Sequence, residues 1–229
     1  MTRIPADDVD SGNPRVRLLP MPDGGVAVAW MQWRLTPDVG DDVAVARLGP
    51  DGTVVATYGA GGRHVQRLPE SSQPSLATTP SGHVLVAWSA LRHPDDPFDG
   101  SATHHLLRLT PTGGPDASFG DGGVATIGSV PTGSDGVLAV GADGERPLLL
   151  TWAVPGLEPE QRLTRLTTTG AVDTSFFGDG TAIVGHDPTA GGIDHVLLGG
   201  SGRPITIVKR SYDGNQGTPD TLELRRLPT

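Results

Sequence analysis

Short apolar runs separated by turn residues dominate this chain. Residues 16–68 contain four such runs, at 16–19, 26–30, 43–48 and 64–68. Their alternation and their β-branched residues are typical of half-buried β-strands. The turn formed by residues 22–25, Pro-Asp-Gly-Gly, joins the first two runs as a tight hairpin. The longest stretches without Gly or Pro are residues 26–36 and 83–93, each of which barely accommodates an average helix of about 11 residues. The pattern therefore predicts an all-β protein.

The pattern recurs about every 60 residues. An Arg-Leu step recurs at Arg47, Arg108, Arg165 and Arg226, with spacings of 61, 57 and 61 residues. A second marker is an apolar strand that begins at residues 26, 84, 148 and 205. A third marker is a Gly-rich segment at residues 113–123 and 170–180, with a degraded copy at 51–62. Three markers with matching spacing indicate a repeat architecture.

The turn that follows the Arg-Leu strand has a recognisable sequence, Asp-Ala-Ser-Phe-Gly-Asp-Gly-Gly at residues 116–123. With the Gly-rich hairpin near the next copy, it resembles the delta-sixty repeat of bacterial propeller-like proteins. The resemblance covers nearly the whole chain, although Tyr58 replaces Phe in the first copy and the fourth copy is truncated. It implies a propeller and brings no catalytic residues, because the shared positions serve turns and packing.

Four strands in each period correspond to one propeller blade. We therefore expect one domain over residues 1–229, a four-bladed β-propeller with about 60 residues per blade. The expected units are residues 14–68, 74–128, 135–185 and 194–229. Residues 2–5 match the fourth strand of a blade, so we expect them to close the last blade by pairing with the strand at 222–227. The alternative is a half ring that pairs with a second copy to make eight blades, so the protein is expected to be a monomer or a homodimer.

Composition excludes several classes of function. The formal net charge of −9 and the pI near 5.1 argue against nucleic acid or an anionic membrane as the partner. The absence of cysteine excludes disulfides and thiolate chemistry. No apolar run has the length of a signal peptide or a membrane span, which predicts a cytoplasmic protein. Phosphate-loop, hydrolase-elbow and zinc-helix motifs are missing, and no cofactor is expected.

The blade arrangement predicts where function would lie. The connections between second and third strands are long and unequal, at residues 31–42, 89–104, 153–162 and 210–221, and they share one face. We call this the long-loop end. It brings together Trp33, His93, Asp95, Asp96, Asp99, His104, His105 and Tyr212.

Three tryptophans mark the start of that end. Trp30, Trp88 and Trp152 each lie at the end of the second strand of a unit. Lys209, the only lysine in the chain, lies at the end of the second strand of the fourth unit. One interpretation is packing between blades. The other is an aromatic-lined site in which the ammonium contacts indole rings. If the long-loop end binds a ligand, we expect it to contact Lys209 and at least one of these tryptophans.

The polar cluster at residues 93–105 offers ligands for two kinds of metal. Carboxylates suit calcium and imidazoles suit zinc, and the candidates are Asp95, Asp96 and Asp99 for the first and His93, His104 and His105 for the second. Neither spacing matches a defined motif. We therefore predict a solvated loop without a metal.

Two function classes share this end. The leading hypothesis is a module that binds a small molecule or a protein through Trp30, Trp33, Trp88, Trp152, Lys209, Tyr212, His104 and Asp95. The alternative is a cofactor-independent enzyme, a cyclase or isomerase acting on a largely apolar small molecule between the tryptophans. In that case Lys209, His104 or Asp95 would supply polar or acid-base groups. Phe119 and Phe176 are expected to be buried packing residues, and Asp121 and Asp179 to cap backbone groups.

Overall fold

In a computed structural model of the chain, the described residues are 16–34, 40–68, 74–91, 101–131, 137–153, 160–185, 193–198, 204–209 and 222–226. These residues form strands and turns, which confirms the all-β prediction. The four strands expected in residues 16–68 are all present.

Within the described residues, fifteen strands form four separate antiparallel sheets. The first contains β1 (Val16–Pro20), β2 (Val26–Arg34), β3 (Gly40–Leu48) and β4 (Arg63–Arg67). The second contains β5 (Ser75–Thr78), β6 (Val84–Leu91), β7 (Ser101–Leu109) and β8 (Val124–Pro131). The third contains β9 (Val137–Asp143), β10 (Arg146–Ala153), β11 (Glu160–Arg165) and β12 (Thr181–Gly185). The fourth contains β13 (Ile193–Leu198), β14 (Pro204–Lys209) and β15 (Leu222–Arg226). In each sheet, strands pair in chain order.

The expected four-bladed propeller is wrong. In the described part of the chain, three sheets have four strands, one has three, and none closes or curls on itself. Residues 2–5, which were expected to complete the last sheet, lie outside the described residues. Strand spacing determines which hydrogen-bonded sheet each segment forms. The placement of one sheet against the next depends instead on side-chain packing between faces, which spacing does not encode.

The core lies between successive sheets, which contact each other through β1 and β5, β5 and β9, and β9 and β13. Ala27, Ala29, Val43 and Val45 of the first sheet pack against the second sheet, on a face that includes Val84, Val86 and Trp88. The other face of the second sheet presents Leu85 and Ala87 to Leu149 of the third. Strand alternation explains why both faces of β6 are apolar, since each contacts a neighbouring sheet.

One local arrangement follows the Arg-Leu step in the second sheet. Arg108 Nε donates to Asp116 Oδ2 at 2.8 Å, and its guanidinium carbon lies 4.5 Å from the centre of the Phe119 ring. Asp116 Oδ1 accepts from the backbone N–H and the hydroxyl of Ser118, at 3.0 and 2.7 Å. Burial raises the pKa of Asp116, but the Ser118 hydrogen bonds and the charge of Arg108 outweigh it and lower the pKa overall.

The third sheet has the same arrangement. Arg165 Nε donates to Asp173 Oδ2 at 2.8 Å, and its guanidinium carbon lies 4.6 Å from the centre of the Phe176 ring. The Ser175 hydroxyl donates to Asp173 Oδ1 at 2.6 Å and contributes most to lowering the pKa of that carboxyl. The Asp-x-Ser-Phe sequence is therefore one interacting unit, in which the carboxylate orients the arginine over the aromatic ring. Phe119 and Phe176 are buried, as predicted.

These turns also join neighbouring sheets. Arg47 Nη1 donates to the carbonyl of Pro111 at 2.9 Å, and Arg108 Nη1 donates to that of Thr168 at 2.6 Å. A Cβ on Gly113 would lie 2.6 Å from Cδ1 of Tyr58, so only glycine allows the second turn to pack on that ring. Both arginines therefore hold the turn of the next sheet, and Arg108 also anchors its own turn.

The first copy departs from this arrangement. Val55 stands where the other copies have aspartate, and Arg47 Nε is buried without a hydrogen-bond partner in the described part of the chain. Tyr58 occupies the phenylalanine position, and its hydroxyl is likewise buried and unpaired among the described residues. Burial raises the pKa of Tyr58 to about 12 despite the nearby charge of Arg47.

Replacing Tyr58 by Phe should stabilise the protein. The change removes a buried hydroxyl without a partner and restores the residue of the other copies, so we expect a gain of about 1 kcal/mol in the free energy of unfolding. Urea denaturation measures it. The reverse change, Phe119→Tyr, should destabilise, and a loss of stability on Tyr58→Phe would contradict the unpaired hydroxyl.

Phe119→Ala should lower the free energy of unfolding by about 3 to 5 kcal/mol, because it leaves a cavity between the second and third sheets. Phe177→Ala is the matched control, since Phe177 is 47% exposed. Thermal or urea denaturation of both variants gives the comparison. Equal losses in the two variants would show that Phe119 does not carry the packing.

Candidate functional site

The long-loop end is where β2, β6, β10 and β14 end and β3, β7, β11 and β15 begin. The expected site residues His93, Asp95, Asp96, Asp99 and Tyr212 lie outside the described residues. Trp33, Trp152 and Lys209 lie within β2, β10 and β14, where the backbone register is described.

That register corrects the alignment of the tryptophans. The arginine of the Arg-Leu step pairs with Ala27 in β2, Leu85 in β6, Leu148 in β10 and Ile205 in β14. The residue three positions further along each strand is Trp30, Trp88, Thr151 and Val208, respectively. Trp152 and Lys209 are therefore one residue beyond the equivalent position. A shift of one residue in a strand moves a position to the other face of the sheet, so the expected set of four equivalent positions does not exist.

Trp30 and Trp88 do not share a site. Trp88 is buried between the first and second sheets, whereas Trp30 clusters with Val28, Ala44 and Ala46 on the opposite face of the first sheet. The indole Nε1 atoms of both are buried and have no hydrogen-bond partner among the described residues. For these two residues, packing is the interpretation that the structure supports.

His104 lies on the face of the second sheet that contacts the third. It is buried, and its Nδ1 is hydrogen-bonded to Ser89 Oγ at 2.9 Å across the β6–β7 pair. Its Nε2 is buried without a partner in the described chain. Burial, with a smaller contribution from His105, lowers the pKa of His104 to about 4. The imidazole is therefore neutral at neutral pH.

His105 occupies the opposite face of β7. Its ring stacks on Trp88 with centroids 5.2 Å apart, and its Nδ1 lies 3.3 Å from Thr126 Oγ1. Burial lowers the pKa of His105 as well. Because adjacent strand residues project to opposite faces, His104 and His105 cannot ligate the same metal ion. Within the described ranges, no group of three or more His, Asp or Glu side chains is arranged to hold a metal.

The Ser89 and His104 pair forms a polar layer on the face of the second sheet that contacts the third. In the described residues, the interface between the first and second sheets lacks such a layer. Met31 and Val43 pair at the equivalent register position of the first sheet. In the third sheet, buried Thr151 lies on the same face as Leu149, which packs against Leu85 and Ala87 of the second sheet. Sequence analysis missed Ser89, although pairing Val84 with Leu109 and counting along the hairpin would place Ser89 opposite His104.

A second polar cluster lies at the opposite, turn end of the sheets. Ser81 Oγ is 2.6 Å from His83 Nδ1, and His83 Nε2 is 3.4 Å from Asp116 Oδ2, which has the composition of a catalytic triad. However, the Ser81 hydroxyl donates to Glu145 Oε2 at 2.6 Å. The backbone N–H groups of Ser81 and His83 donate to Glu145 and Thr79. These donors are unavailable to an oxyanion, so the cluster joins two sheets rather than performing acyl transfer.

The interface between the first and second sheets contains a small cavity in the part nearest the long-loop end. It has a volume of about 20 Å³ and is lined by Ala29, Met31, Val43 and Leu76 among others, which is room for about one water molecule.

Asp179 has the predicted turn role, since its Oδ1 accepts from the Thr181 N–H at 2.9 Å.

No family model matches this chain, and no curated protein matches it. The described ranges contain no helix with the length and apolar character needed to cross a membrane.

Stability should depend on pH through His104. In the unfolded chain, His104 binds a proton as the pH falls below about 6.5, whereas in the folded protein it stays neutral down to about pH 4. The contribution of His104 to stability is therefore present above pH 6.5 and is lost as the pH falls. We expect a loss of about 2 kcal/mol between about pH 7.5 and about pH 5 from this residue. Urea denaturation of wild type and of His104→Gln separates the contribution of His104 from those of the other histidines. Identical pH profiles would contradict the buried neutral imidazole.

Proposed function

We propose that this chain is a binding module that contacts a partner polypeptide through its long-loop end. The carrying observation is a difference between the two ends of the second and third sheets. Toward the long-loop end of these two sheets, buried polar atoms lack partners within the described chain: Trp88 Nε1, His104 Nε2 and Gln161 Nε2. Native proteins pair most of their buried polar groups, and a functional role is one of the recognised reasons for an exception.

The opposite end is occupied by internal contacts in the second and third sheets. Arg108, Asp116 and Ser118 are hydrogen-bonded to one another, and Glu145 binds Ser81 of the neighbouring sheet. These bonds make the turn end a rigid support. The connections at the long-loop end differ in length, at residues 35–39, 92–100, 154–159 and 210–221. Variable connections on a regular scaffold are the usual location of recognition.

A polypeptide suits this end better than a small molecule. One cavity that described residues line there holds about one water, whereas ligand pockets have volumes of roughly 300 to 1,000 Å³. The net charge of −9 disfavours nucleic acid and anionic lipid as partners. A cytoplasmic location and a chain that needs no cofactor are part of the same proposal.

Membership in the delta-sixty repeat group is also a proposal. It is supported by the matching contacts around Arg108 and Arg165, which involve the motif residues Asp, Ser and Phe in both copies.

Selection of displayed short peptides on the immobilised protein tests the binding site. Selected peptides are then measured against two variants with equal charge changes. One carries Asp95→Asn, Asp96→Asn and Asp99→Asn at the long-loop end, and the other carries Asp51→Asn, Asp121→Asn and Asp179→Asn at the turn end. We expect binding to weaken about tenfold or more in the first and to stay unchanged in the second. Failure to select any peptide, or loss confined to the turn-end variant, would overturn the proposal.

A further inference from the structure

The second and third sheets are joined by hydrogen bonds at their turn ends. The Ser81 N–H and hydroxyl donate to Glu145 of the third sheet at 2.8 and 2.6 Å. The Gly120 N–H donates to the carbonyl of Thr169 at 2.9 Å, beside the bond from Arg108 described above. These bonds cross directly from one sheet to the other, so they fix the separation of the two turn ends.

Toward the long-loop end, the same interface is built from apolar side chains with His104 among them. Ala87, Leu106 and Leu149 are fully buried in it. His104 is two residues from Leu106 on β7, which places it on the same face of the strand, and it is 1% exposed. Its Nδ1 is bonded to Ser89, and its Nε2 is buried without a partner in the described chain. A proton on Nε2 would therefore be a charged donor with no acceptor.

The neighbours of His104 offer no free counter-charge. The residues that the adjacent and facing strands place on this interface are Ser89 of β6, Ile127 of β8, Thr151 of β10, and Arg162 and Glu160 of β11. Glu160, the carboxylate of this set, already pairs with Arg162 at 2.8 Å. Strands β5 and β12 contain no titratable residue, and Asp143, the one in β9, lies at the turn end. Burial, with a smaller contribution from His105, accordingly lowers the pKa of His104.

The bonds at the turn end persist in the pH range that favours protonation of a solvated histidine. Burial raises the pKa of Glu145, but hydrogen bonds from Ser81 and Thr79 outweigh it and lower the pKa below the usual 4.5. The carboxylate therefore stays mainly charged from pH 6.5 down to 4.5. Acidification over this range acts on the His104 half of the interface and leaves the Ser81 bonds in place.

We propose that His104 makes this interface a pH-sensitive hinge: protonation of the imidazole separates the long-loop ends of the second and third sheets, while their turn ends stay joined. The separation brings water to His104, where its charge is solvated. The interface between the first and second sheets stays closed, because Met31 and Val43 stand there at the positions of Ser89 and His104. The hinge does not depend on the partner proposed for the long-loop end.

Single introduced cysteines can report which interface opens, since the chain has no cysteine of its own. Ala87→Cys places a thiol between the second and third sheets. Ala29→Cys is the matched control, because it occupies the equivalent position between the first and second sheets. The two alanines are 0% and 1% exposed. The rate of reaction with a thiol reagent, divided by the rate for the urea-unfolded variant at the same pH, gives an opening constant for each interface.

Between about pH 6.5 and about pH 4.5, we expect the opening constant of Ala87→Cys to rise about tenfold per pH unit, because His104 binds a proton only in the open form. That of Ala29→Cys should stay nearly constant, and adding His104→Gln to Ala87→Cys should abolish the rise. An equal rise in both cysteine variants would show unfolding of the whole protein and overturn the hinge. A pH-independent Ala87→Cys would overturn the role of His104. Ala125→Cys, at a position 3% exposed in the same interface, replaces Ala87→Cys if that variant misfolds.

Discussion

The turn end depends on the contacts that the arginine guanidinium of the Arg-Leu step makes. Arg108 is held between the Asp116 carboxylate and the Phe119 ring, and it reaches the carbonyl of Thr168 in the next sheet. A planar cation with several donors can make all three contacts at once, which lysine cannot. Because the arginine touches its own turn and the following turn, it couples the folding of one sheet to the position of the next.

This coupling separates the roles of the two ends. Polar groups at the turn end of the second and third sheets are used within the chain, including the Ser81 and His83 pair that has the composition of a catalytic site. The long-loop end carries the buried Ser89 and His104 pair and connections of unequal length. Support at one end and variation at the other is the arrangement on which the proposed binding function rests.

The strand register separates the tryptophans that the sequence alignment had placed at equivalent positions. The sequence alignment placed Trp152 with Trp30 and Trp88, because each follows an apolar run by the same count. Backbone pairing places Thr151 there instead, since β10 pairs with its partners one residue out of step with that alignment. Hydrogen-bonded pairing determines the face to which each position belongs, and a single-residue offset is invisible in a hydrophobic pattern.

Local features of this protein could be read from its sequence: the strands, the tight turns and the burial of Phe119 and Phe176. They depend on neighbouring residues, whose alternation, turn preferences and ion pairs act over a few positions. The division of the described strands into four separate sheets, the separation of Trp30 from Trp88 and the pairing of His104 with Ser89 became apparent only in the tertiary structure. These features depend on which faces meet and in which register, and residues far apart in the chain settle both.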